Sequence, residues 1–218
     1  MARAIGVFGG TFDPIHYGHL RPALDVAEAL DLAEVRFIPS GHPPHRGRPV
    51  APSALRLEMV KAAIADEPRF VLDEREIHSD APSYSVTTLE SLRRELPATP
   101  LALIVGMDAF LGLTGWHRWR ELLDLAHLVV AHRPGWHLQA EGELSTLVAS
   151  RQTHDPRSLQ ASPAGHIYLQ AVTQLEISST AIRALVAGSR EVRYLMPDEV
   201  RKLIIESRCY GREAQEVQ

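Results

Sequence analysis

The stretch Ala4-Ile5-Gly6-Val7-Phe8-Gly9-Gly10-Thr11-Phe12-Asp13-Pro14-Ile15-His16-Tyr17-Gly18-His19 decides how this chain folds. Ala4 to Phe8 is a short apolar run and reads as a first β-strand. Beyond the stretch, Leu20, Leu24, Ala27 and Leu30 recur at the spacing of one helix face. Between strand and helix lie Gly9, Gly10, the hydroxyl of Thr11 and the imidazoles of His16 and His19. Glycine lets a backbone approach an anion closely and permits positive φ where a turn needs it. A helix start offers unpaired amides and a favourable dipole. Three residues apart, His16 and His19 fall on roughly one face. This is the layout of a phosphate site flanked by two hydrogen-bonding or cationic side chains.

Working outward, further short apolar runs predict strands at Val35–Pro39, Phe70–Leu72, Leu101–Val105, Leu128–His132 and Ile167–Leu169. Helical patterns lie between them. Ser53 caps one that reaches about Ala65, with Leu55, Met59 and Ala62 inward. Others cover Ser85 to Leu96, with Leu89 and Leu92 inward, and Trp119 to Leu125. The alternation predicts an α/β fold built on a doubly wound, mostly parallel sheet of Rossmann-like kind. The stretch 136–166 is polar, weakly helical around Leu144–Val148, and reads as a surface excursion. Towards the end, Ile177 to Arg183 opens a helix closing at Gly188 as its C′ residue, and Pro197 starts a last helix to about Glu206. The expected division is residues 1–185 as the α/β domain and 186–218 as a small helical extension.

The 218 residues carry a formal charge of -4. Proteins that hold nucleic acid by counterion release show a basic excess, so no nucleic-acid partner is expected. No run of eighteen apolar residues occurs, so no membrane span is expected. With Cys209 as the one cysteine, a cytoplasmic location is the simplest expectation. The histidines are scattered without a zinc-type spacing, and no P-loop or Gly-x-Gly-x-x-Gly fingerprint is present.

A second motif sharpens the picture. Gly10-Thr11-Phe12-Asp13-Pro14-Ile15-His16-Tyr17-Gly18-His19 resembles the signature of the nucleotidyltransferase superfamily marked by H-x-G-H. Ile177-Ser178-Ser179-Thr180-Ala181-Ile182-Arg183 is similar to its second signature, I-S-S-T-x-I-R. Over nearly the whole chain the likeness narrows to the bacterial nicotinate-mononucleotide adenylyltransferases. It is carried by Pro43-Pro44-His45, Leu72 to Glu76, Ala81 to Ser85, Gly106-Met107-Asp108, Trp116 and Arg133-Pro134-Gly135.

The resemblance implies transfer of the adenylyl group of ATP to nicotinate mononucleotide, giving deamido-NAD and pyrophosphate. It assigns catalysis to His16, His19 and Arg183, with His19 nearest the α-phosphate. It assigns ATP to Gly9, Gly10, Thr11, Phe12, His16, His19, Ile177, Ser178, Ser179, Thr180 and Arg183, with Gly106 and Asp108 at the adenosine. Serine and threonine at a helix start can present amides and hydroxyls to phosphates, although alone they would read as an ordinary N-cap. The mononucleotide falls to Thr11, Ser40, His45, Tyr84, Ser85, Trp116 and Arg133. Trp116 can stack on a pyridine ring. Tyr84 and Ser85, at a helix start, can meet a carboxylate that only accepts hydrogen bonds. Ser40 stands where some relatives carry asparagine. His45 lies in a loop, 41–48, that reads as a lid over phosphate or as plain solvated chain. Mg2+ is expected to ride on the triphosphate through water, with no protein ligand. A monomer or homodimer is expected. Two rivals stay open: a same-fold transferase for another phosphate acceptor, and a non-catalytic nucleotide sensor.

Overall fold

The structure, a computed structural model, describes residues 3–44, 49–135 and 138–211. Six strands form one sheet: β1 (Ile5–Gly10), β2 (Glu34–Pro39), β3 (Phe70–Leu72), β4 (Leu101–Gly106), β5 (His127–His132) and β6 (Ile167–Ala171). Their order is β3-β2-β1-β4-β5-β6. The pairs β1–β4, β4–β5 and β5–β6 are parallel, in register at Val7 with Leu103, Leu103 with Leu128, and Leu128 with Ile167. The winding reverses between β1 and β4. Helices lie on both faces of the sheet, as the alternation of apolar runs and the reversed winding predict. Leu101–Val105 and His127–Val130 are buried throughout, the mark of strands covered on both faces.

The chain forms two compact units. One takes the residues up to Phe8, with Pro22–Arg36 and Tyr84–Gln174; the other takes Gly9–Arg21, Phe37–Ser83 and the chain from Leu175. In the first unit, α3 (Ser85–Glu95) buries Val86, Leu89 and Leu92 and packs on α5 (Leu122–Leu125). Short α4 (Met107–Leu111) follows β4, while α6 (Gly142–Arg151) and α7 (Ser158–Ala161) fill the polar stretch before β6. In the second unit, α2 (Ser53–Ile64) packs on α9 (Asp198–Ser207), and α8 (Ser179–Ala187) follows the second motif. Helix α1 (Tyr17–Ala29) begins in this unit and continues into the first.

Several local expectations change. β1 runs on through Gly9 and Gly10, because the Gly10 carbonyl accepts from the Ser40 amide at 2.9 Å and keeps the strand paired. The α1 stripe is Leu20, Ala23, Val26, Ala27 and Leu30, with Leu24 only half-buried. Helix α2 buries Arg56, Met59, Val60 and Ile64 rather than Leu55 and Ala62. The cause is Arg56: its guanidinium finds carbonyl partners inside, which rotates the helix away from the purely apolar stripe. Pro52, not Ser53, is the N-cap of α2. Gly188 ends α8 at φ -82, and the left-handed residue is Ser189 at φ 54. The 3-10 turn Trp119–Glu121 replaces the first half of the helix expected from Trp119, whose side chain is buried.

His127, at the start of β5, is fully buried. One ring nitrogen, Nδ1, accepts from the His166 amide at 3.1 Å, and Nε2 lies 2.9 Å from the Ser162 carbonyl. An acceptor role at one nitrogen requires the neutral ring. Burial first, with smaller effects from His166 and Arg93, lowers its pKa to about 4 against the raising effect of the Ser162 bond. As pH falls from the unfolded value near 6.5 towards 4, the unfolded chain takes up a proton that the folded chain refuses. Stability therefore drops with acidification across that window. In NMR titrations the His127 ring signals should stay fixed between about pH 7.5 and 5.5; a midpoint near that of a free histidine would contradict this packing.

Candidate active site

The first turn is shaped by buried side chains. Phe12 is 2% exposed and holds φ at 49, in the left-handed region. Its ring lies where a Cβ on Gly10 would stand, 2.9 Å away, so Gly10 is required by packing rather than by its own backbone angles. The same ring meets His19 edge-on at 5.2 Å and Phe37 at 6.0 Å. Any contact of Phe12 with a nucleotide is therefore made by its main chain. The Thr11 carbonyl accepts from Arg56 Nη1 at 2.7 Å.

His16 caps α1: its carbonyl accepts from the amides of His19 at 2.8 Å and Leu20 at 3.2 Å. The two imidazoles stack, with centroids 3.8 Å apart and planes 29° apart. The His16 amide donates to His19 Nδ1 at 3.3 Å, which leaves His19 Nε2 as the nitrogen able to carry a proton. His16 is 3% exposed, and its Nδ1 is buried with no hydrogen-bond partner. Burial lowers its pKa to about 4, so the ring is neutral at pH 7. The pair thus offers directed ring nitrogens, with His16 contributing polarity and not charge.

The late serine-rich turn arrives at the same place. Ser178 caps α8, its hydroxyl accepting from the Ala181 amide at 3.1 Å. Ser179 Oγ donates to the Pro14 carbonyl at 2.9 Å. Arg183 Nη1 donates to the Asp13 carbonyl at 2.7 Å, and Nη2 to Thr180 Oγ1 at 3.4 Å. So the two signature turns are joined by direct hydrogen bonds. Arg183, expected on phosphate, gives one of its donors to holding the first turn. The amides of Ser179 and Thr180, in the first turn of α8, have no intrahelical acceptor. Ser40, 8% exposed, follows β2, and its amide holds the Gly10 carbonyl. The loop base after Ser40 is pinned by Ser83, whose amide and hydroxyl bond the His42 main chain at 2.9 and 3.1 Å. His45 lies outside the described residues.

The remaining predicted residues belong to the first unit. Gly106 ends β4 and caps α4, whose first turn carries exposed Asp108. Tyr84 is the N-cap of α3 and supplies no side-chain cap. Its ring stacks on that of His117, the residue after Trp116, with centroids 4.2 Å apart. Ser85 opens α3, half-buried. Arg133 is exposed and donates to Gln174 Oε1 at 2.9 Å. His117 carried no motif signal; its place beside Trp116 was the only hint. Asp13 and Arg56 were also missed. Asp13 stood in the quoted motif, but the partners that give it a role lie far along the chain.

A family model described as cytidylyltransferase-like matches residues 7–185, spanning both turns. The chain belongs to the cytidylyltransferase-like family. Curated relatives match nearly the whole chain. The "Probable nicotinate-nucleotide adenylyltransferase" of Halorhodospira halophila is 53% identical over 209 residues, 96% of each chain. That of Methylococcus capsulatus is 50% identical over 209 residues, covering 95% of this chain and 100% of its own. Among solved structures, Plasmodium falciparum nicotinic acid mononucleotide adenylyltransferase complexed with NaAD superposes with a TM-score of 0.69. It is 17% identical and covers 95% of this chain and 97% of its own, which shows a shared fold.

In this cytidylyltransferase-like protein the glycine between the histidines has a measurable reason. A Cβ on Gly18 would stand 2.9 Å from both His16 Nδ1 and the Ile177 carbonyl. Helix propensity alone favours alanine there by about 0.8–1.0 kcal/mol. Crowding a backbone carbonyl costs about 1–3 kcal/mol and should win. Gly18→Ala should therefore unfold at lower urea concentration than the wild type and turn over more slowly. A more stable variant would show that the turns do not meet.

Proposed function

We propose that this chain transfers the adenylyl group of ATP to nicotinate mononucleotide, giving deamido-NAD and pyrophosphate. The observation that carries the reading is the joining of the two signature turns around the stacked histidines, in a chain about half identical to full-length nicotinate-nucleotide adenylyltransferases. A 5′-phosphate oxygen of the mononucleotide forms a bond to the α-phosphorus, and the bond from that phosphorus to the bridging oxygen of the β-phosphate breaks. The bridging electrons leave with pyrophosphate. The nucleophile is already an anion near neutral pH, so no base is needed; alignment and charge stabilisation are. His19 Nε2 is the directed donor for the α-phosphate. The neutral ring of His16 supports that donor from behind. The amides at the start of α8 face the outer phosphates, and Arg183 holds the two turns in register.

Among the described residues no group of three His, Cys, Asp or Glu side chains stands together to hold a metal ion. The carboxylate of the first turn, Asp13, is 6% exposed and occupied by amide donors. That donor set fits an ion held by the triphosphate and water, with no carboxylate ligand from this turn. Mg2+ so bound would neutralise phosphate charge that the uncharged His16 does not. Acid over amide selection is assigned to α3. Its start has no side-chain cap, so its first amides can donate to a carboxylate, whereas a carboxamide would set donor against donor. Among the described residues no helix is long and apolar enough to cross a membrane.

The test is pyrophosphate release with magnesium-ATP and either nicotinate or nicotinamide mononucleotide. Release with the acid at least about tenfold faster than with the amide is expected, the scale of opposing donors in a closed site. ATP retained without release would identify a sensor instead. His19→Ala should lower kcat about a hundredfold, the scale of losing one transition-state donor. A wild-type rate in that folded variant would remove His19 from the mechanism.

A further inference from the structure

Tyr210 is remote in sequence from both signatures, yet it is fully buried against the first. Its Oη donates to Asp13 Oδ1 at 2.7 Å. Helix α9 ends at Ser207, and Arg208 takes φ 53, a left-handed turn that directs the next residues inward. That conformation is unfavourable for a residue with a Cβ, so the surrounding contacts must hold it. The buried phenol is the contact with a polar purpose. Burial, and then the nearby Asp13 charge, push its pKa far above the ordinary range, so it stays a proton donor.

Asp13 gathers donors from separate parts of the second unit. Oδ1 accepts from the Ala51 amide at 3.0 Å as well as from Tyr210, and Oδ2 from the Val50 amide at 2.8 Å. Its carbonyl is the acceptor for Arg183. Arg56, 1% exposed, ties the Thr11 carbonyl to the Ala51 carbonyl at 2.7 and 3.3 Å. Asp13 thus ties together the first turn, the second turn and the Val50–Ala51 main chain. The Tyr210 hydroxyl is the one side-chain O–H in this set.

Resting on the adenylyl-transfer reading above, we propose that Tyr210 is a positioning residue for that reaction: its phenol orients the Asp13 carboxylate, which presets the turn bearing His16 and His19. The phenol touches no substrate. Its hydrogen bond sets the carboxylate plane, and the carboxylate then holds Val50 and Ala51 on one side and the turn on the other. Removing only the hydroxyl leaves the ring to fill its place, so packing is preserved while orientation is lost.

The experiment uses the full chain and the Tyr210→Phe variant. Amide hydrogen exchange at Val50, Ala51 and residues 11–16 is followed in both proteins, together with kcat and KM for each substrate. Expected are exchange at Ala51 at least about tenfold faster, and kcat at least about fivefold lower with both KM values within about twofold. The loss in kcat should vanish when Tyr210→Phe is made in an Asp13→Asn background, since the two act as a unit. A folded Tyr210→Phe protein with wild-type kcat, even if it melts earlier, overturns the proposal. Unchanged exchange at Ala51 overturns it equally, and that arm reads the same way whether or not the wild type turns over nicotinate mononucleotide. A wild type that releases no pyrophosphate counts against the functional reading alone.

Discussion

A carboxylate that is 6% exposed must be met by donors, and Asp13 meets this demand with chain segments that would otherwise have no reason to lie together. An unpaired buried charge costs several kcal/mol, more than any single neighbouring contact supplies. The fold of the second unit answers it with the Val50 and Ala51 amides, the Tyr210 phenol and the nearby Arg183 guanidinium. Arg56 is buried close by and stays charged under the same field, its pKa pressed down by desolvation and raised in part by Asp13. The turn that leads to His16 rests on this polar knot.

A turn tied down in this way suits a reaction whose chemistry is mostly alignment. Both reactants are anions, and the chain itself is acidic overall at -4. A net negative chain offers anions no overall attraction, so the attraction is supplied locally. His16 is kept neutral by burial and stacks behind His19, and the helix start at Ser179 contributes aligned amides. Directed dipoles cost nothing to reorganise as charge moves between phosphates. A neutral imidazole in the inner position also avoids the penalty of burying a cation before substrate arrives.

Much of the fold was legible in the sequence. The apolar runs marked all six strands, most plainly β4 and the start of β5, where burial on both faces leaves no polar face to blur the pattern. Helices whose stripe is purely apolar, such as α3 with Leu89 and Leu92, were equally plain. The reading slipped where a polar side chain had been taken inside. Arg56 rotated α2 away from its expected face, and nothing within α2 itself announces that an arginine will find carbonyl partners at Thr11 and Ala51. Gly10 was read for close approach to a phosphate; that its missing Cβ also makes room for Phe12 was not legible.

The sequence by itself determined the α/β winding, the two signature turns and the chemical class of side chain in each, since these depend on local spacing and residue type. Tertiary structure alone decided that Ser179 and Arg183 would be bonded to Pro14 and Asp13, that His16 would be neutral, and that Tyr210 would reach the first turn. Burial and hydrogen bonding between residues far apart in the chain set protonation and direction. Those quantities exist only once the chain has closed on itself.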